Sequence, residues 1–166
     1  MQKILLSFFG LTAFAGMLSG APVELKNPAV SLTILPEKGG IVTSFQSGTV
    51  KFDFSPEDLN KDGCGLGKER IFGDDSEYIR APWKLISRTP RSAVLQVTGI
   101  QPHAKLEITK TYTLPEKGAY VRVDLKFRNT NPVAGSFRIV PWIHQGFPIP
   151  PEAAGKENRF YLSHRN

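Results

Sequence analysis

The feature that most restricts this chain is a period of two. Apolar and polar residues alternate over short runs, and the runs are bounded by Gly, Pro, Asn or Asp. VSLTIL (30–35) alternates and halts at Pro36; TVKFDF (49–54), LEITKTYTL (106–114) and YVRVDLKFR (120–128) alternate in the same way. Ile41 to Phe45, Trp83 to Ser87, Ala93 to Thr98 and Ser136 to Ile143 are further extended runs. Successive side chains on a strand point to opposite faces, so alternation places one face in a core and the other in water. The 3.6-residue period of an amphipathic helix is almost absent. About seven to nine short strands with turn signals roughly every 8 to 12 residues predict an all-β fold, an antiparallel β-sandwich.

The punctuation agrees with that reading. Gly39-Gly40, Pro115-Glu116-Lys117-Gly118 and Asn129-Thr130-Asn131-Pro132 carry turn chemistry between strands. Ser55-Pro56-Glu57 would open one helical turn, with Ser as cap and Pro at the first position. The least regular stretch is 58–82, DLNKDGCGLGKERIFGDDSEYIRAP, which reads as one long loop. A loop of that length inside a domain is functional or poorly ordered. From Pro148 the chain turns polar and Pro-rich, and Phe160-Tyr161-Leu162 looks like the start of another strand shortly before Asn166, the pattern of a truncated domain.

Lys3 precedes an apolar run from Ile4 to Leu18, and the small residues Ser19, Gly20 and Ala21 follow. That layout is a secretory signal peptide over 1–21, with a sandwich domain over 22–166 and a secreted or periplasmic product. The run is about 15 residues, short of the roughly 20 that span a bilayer, so no membrane association is expected after cleavage. Cys64 is the single cysteine, which excludes an internal disulfide. The net charge of +6 comes from basic residues spread singly along strands. Nucleic-acid binders gather them on one face, so no nucleic acid is expected, while an anionic polysaccharide would suit the charge.

WKL (83–85), SAVLQV (92–97), LEITKTYTL, YVRVDLKFRN (120–129) and a strand closing on His144 follow one another in an order that resembles the galactose mutarotase-like β-supersandwich of aldose 1-epimerases. LTILPEKGGIVTSF (32–45) fits its opening strand, Gly-Gly turn and second strand. The resemblance covers roughly 25–147 and rests on strand rhythm rather than a tight motif. Epimerases of this family resemble N-H-x-Y-F-N-L at a sugar-binding histidine. Here the stretch is Ile143-His144-Gln145-Gly146-Phe147-Pro148-Ile149, in which the His and Phe match and the two Asn and the Tyr do not. The resemblance implies a later histidine that protonates the ring oxygen and a glutamate that takes the anomeric proton. Neither is matched in these residues. Ring opening needs both an acid and a base in reach of one sugar, so the resemblance implies recognition more readily than catalysis.

Trp142 and His144 are two apart on a strand and so share a face. An indole stacks on a pyranose and an imidazole hydrogen-bonds its hydroxyls, and Arg138 would add a donor for hydroxyls or uronates. A packed tryptophan beside a satisfied histidine is the plain alternative. Trp83 and Arg128 are further candidates, with core packing and a solvated strand face as their plain readings. Asp58, Asn60, Asp62, Gly63 and Glu69 match D-x-[DN]-x-[DN]-G-x5-E, whose oxygen ligands bind Ca2+. The flanks FDFSPE and RIFGDD lack the helices of an EF-hand, so a turn-rich surface loop competes with that reading. Asp74, Asp75 and Glu77 form an acidic cluster in the same stretch, with a solvated turn as its plain reading. Three functions stay open: carbohydrate recognition, a sugar epimerase or polysaccharide-processing enzyme completed elsewhere, and a structural sandwich without ligand.

Overall fold

The burial of one strand shows how the alternation becomes structure. Along Leu106–Thr113 every second residue is buried, and Leu106, Ile108, Lys110 and Tyr112 form the inner row. A computed structural model of the chain describes residues 20–54, 65–71, 78, 80–100, 105–132 and 141–146; at 68–71 and 141–146 it describes the backbone alone. Ten strands are described: β1 (Val23–Lys26), β2 (Val30–Leu35), β3 (Ile41–Ser47), β4 (Val50–Asp53), β5 (Gly65–Ile71), β6 (Lys84–Thr89), β7 (Ser92–Thr98), β8 (Leu106–Thr113), β9 (Arg122–Asn129) and β10 (Pro141–Gly146). Among the described residues no helix is long and apolar enough to cross a membrane.

The strands form two antiparallel sheets. The first has the order β1-β2-β3-β5-β10, with β4 pairing β3 beside β5; the second has the order β6-β7-β8-β9. Inner residues of the first sheet, Val23, Leu25, Val30, Leu32, Ile34 and Val42, pack on Ala93, Leu95, Val97, Leu106, Ile108 and Tyr112 of the second. Each fully buried Leu or Ile in this layer contributes about 1.5–3 kcal/mol. The fold is therefore the all-β sandwich that the alternation predicts.

The stop at Pro36 takes the form of a 3-10 turn over Pro36–Lys38, closed by Gly39 and Gly40 at φ 77° and 59°. Its carbonyl at Pro36 accepts from the Trp83 backbone N–H at 2.8 Å, which ties this turn to the start of β6. Asn27 is a second tie between distant segments. It is buried, its Oδ1 accepts from the N–H groups of Ala29 and Val30, and its Nδ2 donates to the carbonyls of Pro115 and Gly118.

Two strands lie outside the extended runs read from the sequence. β1 is only four residues, VELK, and buries Val23 and Leu25 in alternation. β5 corrects the expectation of one irregular stretch over 58–82: GLGKERI has no apolar alternation, yet it is a strand because it pairs with β10 and meets β3 at Val42↔Leu66. Residues 1–19, which carry most of the expected signal peptide, the expected turn at 55–57, Cys64 and the tail from 147 lie outside the described residues.

Candidate functional site

The ladder between β5 and β10 gathers most of the chemistry-bearing positions. Trp142 is paired with Arg70 and His144 with Lys68, while Ile143 is paired with Glu69. Directly opposed residues of an antiparallel pair share a face. Trp142, His144, Arg70 and Lys68 thus occupy one two-by-two block of register positions at the end of the first sheet. Arg138, the third residue expected in a sugar site, lies outside the described residues.

The register slips between His144 and Gln145, which pair with Lys68 and Leu66, so that Gly67 is the extra residue of a bulge. Its φ of +76° is left-handed, and a Cβ there would stand 2.5 Å from the Tyr112 Oη. Glycine is required on both counts. Behind this bulge is a buried cation. The Lys110 ammonium, wholly excluded from solvent, donates to the carbonyls of Gly67 at 2.9 Å, Gly39 at 3.2 Å and Gly40 at 3.3 Å. It lies 4.5 Å from the centre of the Trp83 ring, a cation–π distance. The Tyr112 hydroxyl donates to the Gly40 carbonyl at 2.8 Å. One lysine of the second sheet therefore grips both the Gly-Gly turn and the β5 bulge of the first, and through the bulge it sets where the His144 backbone runs.

The signal for Lys110 is in the sequence. It occupies an apolar phase of the alternation Leu106, Ile108, Lys110, Tyr112, which puts a lysine on the inner face. Trp83 corrects its candidacy as a stacking platform: it is buried in the core, and its Nε1 donates to the Tyr78 carbonyl at 2.9 Å. The enclosure that excludes water there also pushes the Tyr78 phenol above its ordinary pKa. Arg128 takes its plain reading. It is an exposed strand-face residue whose guanidinium meets Glu107 across the β8–β9 ladder at 2.7 Å, and that carboxylate raises its pKa above the ordinary value.

Of the calcium pattern, Asp58, Asn60 and Asp62 lie outside the described residues, as do Asp74, Asp75 and Glu77. Glu69 is in β5, so the pattern's last position stands in a ladder rather than at the end of a loop. Among the described residues no group of three or more His, Cys, Asp or Glu comes together as a metal site. A separate open groove of about 380 Å³ lies between β1 and the β6–β7 turn, lined by Glu24, Lys26, Arg88, Thr89 and Pro90. Its mixed charge and openness single out no ligand.

No family model matches the chain, and no curated protein matches it. Among solved structures, its fold is similar to the crystal structure of the Slr1438 protein from Synechocystis sp. PCC 6803, with a TM-score of 0.53 at 15% identity. The match covers 76% of this chain and 52% of that one, so the chain spans about half the length of the structure it matches.

Proposed function

We propose that this chain is an exported carbohydrate-binding β-sandwich domain related to aldose 1-epimerases. The observation that carries the proposal is the β5–β10 ladder, which pairs Trp142 with Arg70 and His144 with Lys68. An aromatic ring offers stacking to the apolar face of a pyranose, and the neighbouring donors suit hydroxyls and carboxylates. Two cationic positions beside the indole and imidazole favour acidic glycans, such as uronate oligosaccharides, over neutral ones. The resemblance in strand order supports the relation to epimerases, and the likeness to the solved structure supports the sandwich alone. A mutarotase-type mechanism needs an acid and a base flanking one sugar, and this block holds no carboxylate to serve as base.

Isothermal titration of the chain against neutral and uronate oligosaccharides tests this reading. Binding of the uronates is expected, and Trp142→Ala or His144→Ala should each weaken it about tenfold, or about 1.4 kcal/mol. Arg70→Ala should narrow the gap between acidic and neutral glycans. Absence of binding to either class, or binding indifferent to Trp142 and His144, removes the proposal.

A further inference from the structure

The β5–β10 ladder joins two registers end to end. Gly65 and Leu66 oppose Gly146 and Gln145; past Gly67, Lys68 to Ile71 oppose His144 to Pro141 with one residue of offset. Carried on past Leu66 without the bulge, the first register would set Gly67 against His144, Lys68 against Ile143 and Glu69 against Trp142. Directly opposed residues share a face. The face that carries Trp142 and His144 therefore receives Lys68 and Arg70 with the bulge, and Gly67 and Glu69 without it. One residue of register exchanges two basic partners for one acidic partner.

A bulge leaves one residue outside the ladder, so an uninterrupted ladder competes with it. What holds this bulge comes from the other sheet. Lys110 of β8 donates to the Gly67 carbonyl at 2.9 Å, and the same ammonium donates to the carbonyls of Gly39 and Gly40. That turn is fastened to the start of β6 by the Trp83 N–H on the Pro36 carbonyl. The ammonium is wholly buried, so these bonds are made to fixed backbone away from water. On the near side of the bulge, Leu66 packs against the core and meets Val42 of β3, which pins the chain there. A slip of β5 is thereby confined to 67–71, the part that carries Lys68, Glu69 and Arg70.

We propose that the Gly67 bulge determines the specificity of the β5–β10 face and that Lys110 is its positioning residue. By holding the bulge, Lys110 keeps Lys68 and Arg70, and not Glu69, opposite His144 and Trp142, and so selects acidic over neutral glycans. The selection rests on the carbohydrate reading above; the register does not, and the two are measured separately.

Disulfide trapping reads the register without any ligand. Opposed residues lie about 4.5–5.5 Å apart at Cα, within reach of a disulfide, whereas residues one step out of register belong to opposite faces. Cys64→Ser makes two introduced thiols the only pair in the chain. In that background Lys68→Cys/His144→Cys should close under oxidised glutathione, and Lys68→Cys/Ile143→Cys should not. Adding Lys110→Met should reverse that preference. Deleting Gly67 as well takes away the extra residue and returns Lys68 to His144 in an uninterrupted ladder. The first pair should then close again, a rescue that lost stability alone would not give. In chains without the cysteines, isothermal titration should show Lys110→Met weakening uronate oligosaccharides at least about tenfold and neutral ones less than about threefold, with deletion of Gly67 restoring the uronates to within about threefold. Deletion of Gly67 alone keeps the ammonium and its bonds to Gly39 and Gly40; it should retain the first pair and the uronate preference, and it carries the test if Lys110→Met does not fold. The proposal is overturned if Lys110→Met still closes the first pair, if either chain lacking Gly67 fails to close it, or if uronate preference does not follow the trapped register. A register trapped as expected in a chain that binds no glycan overturns the selection together with the carbohydrate reading and leaves the register assignment standing.

Discussion

Replacing Lys110 with Met tests the central packing argument, because two physical effects pull in opposite directions. Lys110→Met keeps the length of the side chain and removes the charge, so cavity formation is small. Removing a buried ammonium relieves its desolvation, and replacing buried ionic groups with apolar ones is in some proteins neutral or stabilising by about 1–4 kcal/mol. Against this, the ammonium donates to the carbonyls of Gly39, Gly40 and Gly67, and those acceptors stay in the interior when it goes. Hydrogen bonds to a charged group contribute about 1.5–3 kcal/mol each, and a buried acceptor deprived of its donor costs about 1–3 kcal/mol. The Gly40 carbonyl keeps the Tyr112 hydroxyl at 2.8 Å. The charge-assisted bonds to Gly39 and Gly67 and the contact with Trp83 are lost. The substitution removes the donor and leaves neutral acceptors in the interior, at about 1–3 kcal/mol each, so the loss wins, by about 3–5 kcal/mol. At roughly 2–4 °C per kcal/mol for a domain near this size, the melting temperature should fall by about 10–15 °C. Urea unfolding followed by far-ultraviolet circular dichroism measures it. A Lys110→Met chain as stable as the wild type, or more so, refutes the reasoning and shows that desolvation dominates at this lysine.

Three further outcomes follow from the same geometry. Gly67→Ala forces a left-handed backbone onto alanine and drives its Cβ to 2.5 Å from the Tyr112 Oη, so a loss of about 2–5 kcal/mol is expected; Tyr112→Phe in that background should recover part of it, and strict additivity would contradict the clash. Asn27→Ala removes the Nδ2 bonds that join the β1–β2 turn to the segment after β8 and the Oδ1 bonds that close the turn itself, and thermal unfolding should register about 2–4 kcal/mol; a change under about 0.5 kcal/mol would mean that water replaces the amide. The Asp53 carboxyl is held below its ordinary pKa by hydrogen bonds from Lys51 first and Ser44 second. Its folded value is the depressed one, so its stabilisation is present above the ordinary carboxylate pKa of about 3.9 and lost as pH falls through the folded value. In an NMR titration its midpoint should rise toward the ordinary value in Ser44→Ala, and an unmoved midpoint would exclude the Ser44 bond at 2.6 Å.

Local pattern was enough for the class of fold. In β2, β7 and β8 alternation alone places Leu32, Leu95 and Ile108 on an inner face, because side-chain direction on a strand depends only on position parity. The same parity puts Lys110 inside, and the spacing of Trp142 and His144 puts them on one face. Which partner each strand meets is a matter of distant segments, and there the sequence was silent. GLGKERI carries no strand pattern, so the pairing of Lys68 and Arg70 with His144 and Trp142 was invisible before β5 and β10 came together. The three carbonyls around Lys110 come from the Gly39-Gly40 turn and the β5 bulge, 27 or more positions apart in the chain, and were likewise unreadable. Val123 belongs to an apolar row that parity assigns to a core, yet it is 38% exposed, and among the described residues no strand lies beyond β9. Periodicity is a property of neighbours along the chain and survives in any fold that accepts it. Coverage, partner and register depend on which segments meet in space, and the tertiary structure decided those.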